Sequence, residues 1–161
     1  MTQLTHFDEH GASRMVDISE KAITDRVAVA HAKITMKSET FRLIMDKKVQ
    51  KGDVLEVARV AGIMAAKQTA GLIPLCHPLN LTSVKIDYKN NSLDTINIFA
   101  EAQVTGKTGV EMEAIVAASV CAITVYDMCK SVDKRMVISD IHLVKKSGGK
   151  SGTFIFYKDS N

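Results

Sequence analysis

Between Ala114 and Val125 the chain is apolar or small on every side, interrupted only by Ser119 and Thr124. A helix with one wet face carries a polar stripe at helical spacing, and this segment has none. As a helix it must be covered all round. The chain is 161 residues long, enough for one hydrophobic core and short of material for a second covering layer. The segment is then either a core helix sealed within one chain or a helix whose outer face meets another subunit. The shortage of covering layers favours the subunit contact.

The flanking pattern is that of an α+β domain. Residues 1–14 are polar and aperiodic and read as a flexible N-terminal tail, ahead of a single domain over 15–158. Alternation from Arg26 to Met36 predicts a strand, and Ser38 is the expected N-cap of a short helix carrying Phe41, Leu43, Ile44 and Met45. Asp53 and Glu56 open a long helix on which Val54, Val57, Ala58, Ala61, Met64 and Ala65 repeat at helical spacing until Gly71. Residues 81–89 and 96–102 alternate as strands about the turn Asn90-Asn91-Ser92. A second long helix spans about 109–131, and strands at 137–144 and 153–157 flank a Lys/Gly loop at 145–152. This order predicts an antiparallel sheet with two long helices packed on it.

Composition narrows the function classes. Twenty-one Lys and Arg against 18 Asp and Glu give a net charge of +3, too balanced for a protein that coats nucleic acid. Aromatic residues make up 5% with no Trp, which argues against a base-stacking platform. Cys76, Cys121 and Cys129 form no C-x-x-C pair, so neither a disulfide framework nor a structural zinc site is expected. No apolar run reaches the ~18 residues of a membrane span, and the N-terminus lacks an apolar export segment. A cytoplasmic protein with no nucleic-acid or membrane partner is expected.

Several residue groups have the chemistry of a site. Gly106-Lys107-Thr108 and Gly149-Lys150-Ser151 look like phosphate loops, but a Walker pattern needs Gly where Glu101 and Val144 stand. The 145–152 loop still combines Gly148, Gly149 and Gly152 with Lys145, Lys146 and Lys150, which suits either a solvated turn or an anion site. From Lys130 to Lys150 there are six Lys/Arg and two Asp, and that excess favours phosphate. Asp127 and Lys130, three apart on one helical face, are either an exposed ion pair or an acid and an amine tuning each other for proton transfer. Glu111 and Glu113 match the dipole at a helix start, Met112 fits a core and Lys51 fits a surface. Leu72-Ile-Pro-Leu-Cys-His-Pro78 holds Leu75, Cys76 and His77 between prolines, and rigid placement of a titratable group suits catalysis or ligand orientation.

Together these segments resemble the cyclic pyranopterin monophosphate synthase family, molybdenum cofactor biosynthesis protein C. The resemblance runs from Met15-Val-Asp-Ile-Ser19 through Lys51-Gly-Asp-Val54, Ala58-Arg-Val-Ala-Gly-Ile63, Leu72-Ile-Pro-Leu-Cys-His-Pro-Leu79 and Thr105-Gly-Lys-Thr-Gly-Val-Glu-Met-Glu113. It continues through Tyr126-Asp-Met-Cys-Lys130 to Lys146-Ser-Gly-Gly-Lys-Ser-Gly152. It implies a ferredoxin-like α+β subunit, a homohexamer built as a trimer of dimers, and an active site between subunits. The implied reaction is that of a phosphorus–oxygen lyase: a GTP-derived, cyclised dihydro nucleotide triphosphate becomes cyclic pyranopterin monophosphate, releasing pyrophosphate, early in molybdenum cofactor biosynthesis. The family's catalytic aspartate falls on Asp127 and its essential lysines on Lys51 and Lys130. Substrate contacts fall on Leu75, Cys76, His77, Glu111, Met112, Glu113 and Lys146. No resident cofactor or metal is implied, with Mg2+ allowed as a companion of the triphosphate.

Two rival readings remain on the residues alone. A non-catalytic oligomeric binder of a phosphorylated metabolite needs the Lys/Gly loop but not the acid–amine pair; an RNA-binding ferredoxin-like domain wants more aromatics than Tyr88, Phe99, Phe154 and Phe156 provide. Spacing adds one expectation. Lys51 and His77 flank one helix, and Glu113 and Asp127 lie about 21 Å apart along another, so one ligand meets all four only where two chains share a site.

Overall fold

The computed structural model describes residues 6–8 and 10–157. Its elements are β1 (Thr24–Thr35), α1 (Ser38–Met45), α2 (Val54–Lys67), the single turn α3 (Thr69–Leu72), β2 (Ser83–Asn90), β3 (Thr95–Gly106), α4 (Glu111–Cys129), β4 (Val137–Ser147) and β5 (Phe154–Ile155). The strands form one antiparallel sheet in the order β2-β3-β1-β4-β5. With α2 and α4 on one face, this is the ferredoxin-like arrangement with a short fifth strand at its edge.

Alternation decides which face is covered. Ala28, Ala30, Ala32 and Ile34 of β1, and Ile96, Ile98, Ala100, Ala102 and Val104 of β3, are buried toward the helices. The register sets Ala30 against Ala100, and this floor of small side chains lets α4 lie close over the centre of the sheet. Larger side chains fill the margins: Ile86 and Ile96 are each 1% exposed, a burial that contributes about 1.5–3 kcal/mol apiece.

The twelve-residue apolar segment is sealed within the chain on its inner sides, while Ile115, Ser119, Val120 and Thr124 are half-buried on the outer side that the subunit contact is expected to cover. Ala114, Val116, Ala117, Ala118, Cys121, Ala122 and Val125 are buried between the sheet and α2, and Ile123 is the large side chain of this stretch that stays exposed. Gly62 explains the fit. A Cβ there would stand 2.9 Å from the Ala117 carbonyl and 3.3 Å from Cys121 Cβ, and would collide with Ile86 Cδ1. Without a side chain at that point α2 settles onto α4 and becomes the missing layer. By length and composition α4 could cross a membrane, but here it is the core helix.

Local starts and stops differ from expectation in three places. Asp53 caps α2, accepting the Glu56 backbone N–H at 3.3 Å, but the helix ends at Lys67 and α3 carries the chain on to Leu72. Ser38 is the first residue of α1 rather than its cap. The bracing comes from the distant Asp133, 2% exposed, whose Oδ2 accepts from the Lys37 N–H (2.9 Å) and the Thr40 hydroxyl (3.2 Å). Lys145 and Lys146 are strand residues of β4, not loop residues, and Lys146 pairs with Ala28 and Phe154. Before β1, Phe7 bridges Ser13, while residues 1–5, residue 9 and Lys158 lie outside the described residues.

Candidate active site

The start of α4 and the loops beside it enclose two adjoining cavities. The smaller, about 290 Å3, is lined by Leu75, Cys76 and His77 from the Pro-flanked loop and by Glu111, Met112 and Glu113 from the first turn of α4. The larger, about 830 Å3, lies between the 107–109 loop, the 17–26 segment and the β4–β5 turn. Lys21, Thr108, Gly109 and Glu111 line both, so the two are halves of one cleft.

The halves differ in chemistry. In the smaller one Glu113 is 4% exposed, and burial, reinforced by the Glu111 charge, holds its carboxyl above the usual carboxylate range. Burial likewise pushes the Cys76 thiol up, with Glu113 adding to the effect. His77 Nε2 lies 2.8 Å from the Val16 carbonyl, a group that only accepts. Nε2 therefore carries a proton and donates. This half can grip a flat polar heterocycle between apolar walls.

The larger half is cationic. Lys21, Arg26, Lys107, Lys146 and Lys150 line it against the acids Asp17, Glu20 and Glu111. Lys146 Nζ donates to the Ser151 hydroxyl and stands 3.5 Å from Glu111 Oε1. Strand alternation turns the exposed Lys145 to the other side of β4, outside the cleft. Thr24, whose Oγ1 is buried without a hydrogen-bond partner, lines the same wall. Such a surface suits a polyphosphate.

Arg26 ties the walls together. Its Nε donates to the Gly106 carbonyl (3.0 Å) and its Nη2 to that of Lys107 (3.3 Å). On the other side the guanidinium fills the space a Cβ at Gly149 would need, and Gly149 and Gly148 both take positive φ, 72° and 96°. One side chain thus sets the spacing of the loop bearing Lys107 from the turn after Lys146.

Lys51, Asp127 and Lys130 meet at the opposite end of the helical layer. Lys130 Nζ is 2.6 Å from Asp127 Oδ1, and Lys51 Nζ donates to the Asp127 carbonyl at 3.2 Å, which brings the segment before α2 beside the end of α4. The Lys130 hydrogen bond and charge, with the Lys51 charge, hold Asp127 below the usual range, and Asp127 in turn raises Lys130. Both side chains are exposed, at 58% and 53%, so the single chain presents an ion pair in water and not the enclosed pair the proton-transfer reading requires.

The ten residues singled out in the sequence thus fall into two groups: Leu75, Cys76, His77, Glu111, Met112, Glu113 and Lys146 at the cleft, and Lys51, Asp127 and Lys130 about 21 Å away by helical rise from Glu113 to Asp127. Sequence reasoning missed Lys21, Thr24, Arg26 and Lys107 as cleft residues. Lys107 stood inside a recognised motif, whereas Arg26 gave no signal beyond a place in an alternating strand.

Comparison with known proteins places the chain in a family. Residues 15–149 match the MoaC family. The cyclic pyranopterin monophosphate synthase of Desulfitobacterium hafniense is 59% identical over 153 residues, 95% of this chain and 94% of that protein. Those of Heliobacterium modesticaldum and Desulforapulum autotrophicum are 58% and 57% identical, each over 156 residues, 96% of this chain and 98% and 96% of theirs. The chain belongs to the MoaC family.

Proposed function

We propose that this protein is a cyclic pyranopterin monophosphate synthase, a lyase of molybdenum cofactor biosynthesis. It acts on a cyclised dihydro-GTP, 3',8-cyclo-7,8-dihydro-GTP, forms the cyclic phosphate and releases pyrophosphate. The observation that carries this reading is the cleft with two chemistries: a half-buried pocket for a heterocycle opening directly into a cationic cavity for three phosphates. Leu75, Cys76, His77, Met112 and Glu113 hold the base-derived ring, and Glu111 stands between the two halves. Lys146, with Lys21, Lys107 and the Thr24 hydroxyl, takes the negative charge that develops on the departing pyrophosphate. No resident cofactor is required, and Mg2+ accompanies the triphosphate at most. A cytoplasmic location fits such a substrate.

Asp127, Lys130 and Lys51 move protons during ring opening and rebuilding, and they reach the cleft from a second subunit in a homohexamer built as a trimer of dimers. Enclosure there draws the exposed ion pair out of water, and desolvation drives the two pKa values toward each other. Two experiments test this. Pyrophosphate released from the cyclised nucleotide separates the enzyme from a non-catalytic metabolite binder, which releases none. Inactive Lys51→Ala and His77→Ala proteins, mixed after dissociation and reassembled, regain activity where each site draws these residues from different chains. Mixed oligomers without activity place both residues on one chain.

A further inference from the structure

We infer that the strap Val16–Lys21 makes the cleft select a ligand that fills both halves at once, because the two side chains that fasten the strap are those a heterocycle and a polyphosphate must claim. The selection rests on the cleft being a ring pocket joined to a phosphate cavity, as in the proposed function. Val16 and Lys21 line the smaller half, and Asp17, Glu20 and Lys21 line the larger, so the strap crosses the join between them.

The strap is lightly held. It belongs to no strand, and among the described residues two hydrogen bonds join it to the rest of the chain. His77 Nε2 donates to the Val16 carbonyl at 2.8 Å, and Lys107 Nζ donates to the Ser19 carbonyl at 2.6 Å. The bonds within it, from the Ser19 N–H to Asp17 Oδ1 at 2.8 Å and from the Lys21 N–H to the Ile18 carbonyl at 3.1 Å, close one short turn. Asp17, Ser19, Glu20 and Lys21 are exposed, so little apolar burial adds to the two fastenings. A segment with so few anchors opens locally at small cost.

Each fastening occupies a group the substrate needs. While the His77 Nε2–H is engaged with Val16, it is closed to a ring carbonyl or ring nitrogen. Lys107 is likewise held on a neutral carbonyl, and a charged phosphate oxygen is the better acceptor for an ammonium group. The strap also brings negative charge into the cationic half. The Ser19 N–H and hydroxyl hold the Asp17 carboxyl below the usual range, with the Lys107 and Arg14 charges adding to the effect. Asp17 therefore stands as an anion in the wall that phosphate must approach, and Glu20 lines the same cavity. A ring alone releases one fastening and a polyphosphate alone releases the other. A ligand carrying both releases both, and its second half meets a strap already half undone. By linkage, each half-ligand then tightens the other.

The test puts one half-ligand on each side of the intact protein. Guanosine affinity, read by titration calorimetry, should rise ~5-fold in saturating inorganic triphosphate, and triphosphate affinity should rise by the same factor in saturating guanosine. Hydrogen exchange over residues 15–23 should quicken when triphosphate is added, whereas a static wall would be slowed by it. Lys107→Ala is sharper, because it removes a phosphate contact and a fastening together. Triphosphate should bind several-fold more weakly, and guanosine alone ~3-fold more tightly. A side chain with only a binding or structural role does not improve affinity in the half it does not line, and Lys107 lines the larger half alone. Guanosine that binds equally with and without triphosphate, or not at all, overturns the proposal. Exchange that stays unchanged or slows does the same, as does guanosine affinity unmoved by Lys107→Ala. If that variant fails to fold, the coupling measured on the parent chain decides alone. Pyrophosphate release from the cyclised nucleotide is read separately: release without coupling removes the strap and leaves the enzyme standing, and coupling without release does the reverse.

Discussion

The two ends of α4 carry charged groups of similar kind in opposite settings. At the start, Glu113 is buried and its carboxyl is held above the usual range. At the end, Asp127 is open to water and is held below it by Lys130. Each end has half of what proton transfer on a nucleotide needs: the first has enclosure, the second has the acid and the amines. A pair in water relays a proton poorly, because both partners are already stable as ions. That contrast is the reason the function proposed here draws the two ends of α4 from different chains.

The most severe way to break the contrast is Asp127→Asn. The amide keeps the shape of an exposed side chain, so fold and assembly should persist while pyrophosphate release falls ~100-fold or more. A variant with normal turnover would reduce the C-terminal end to a surface ion pair. Arg26→Lys comes next. It keeps the charge but loses the fork that spans Gly106, Lys107 and Gly149, so KM should rise ~10-fold with a smaller change in kcat. Steady-state kinetics that leave KM alone would remove Arg26 from the positioning of the cationic walls.

Lys146→Ala should act in the same direction and more weakly, reducing nucleotide affinity several-fold while the melting temperature stays within about 2 °C. Equilibrium binding at low and moderate salt is the measurement, and unchanged affinity at both would take Lys146 out of the site. The smallest effect belongs to Glu113→Gln. A carboxyl whose folded pKa is raised holds its proton better in the folded chain. Its contribution is fully present below the ordinary carboxylate range and fades as pH climbs through the raised value. The variant should gain stability relative to the parent at pH 8 and show no such gain at pH 4, read by thermal unfolding. A pH-independent difference would mean that burial does not control this carboxyl.

Much of the fold was legible because it rests on local rules. Alternation placed β1 and β3, and the Asp53 cap placed the start of α2. What escaped was set by distant partners. The covering of α4 depends on one glycine, Gly62, lying opposite Ala117, and the start of α1 is braced by Asp133, more than ninety residues away. Lys145 and Lys146 read as loop because of the glycines that follow, yet pairing with β1 extends β4 through both. The site divided the same way. His77 stood out through its prolines and the Asp127–Lys130 pair through helical spacing, whereas Arg26 acquires its role only when two loops close around it.

The close seat of α2 on α4 at Gly62 also gives the layer the properties of a ruler. Nineteen residues of α4 at 1.5 Å each fix its length at about 28 Å, and the clamped neighbour resists bending. In the shared-site function proposed above, that length does not limit the size of one bound nucleotide. It sets how far the cleft at one end of the layer stands from the Asp127–Lys130 pair at the other, so an acid that serves a second subunit's cleft is kept clear of its own chain's substrate. An added turn in α4 alone would shift its ends by about 5.4 Å against α2, and the cleft and the ion pair would fall out of alignment together.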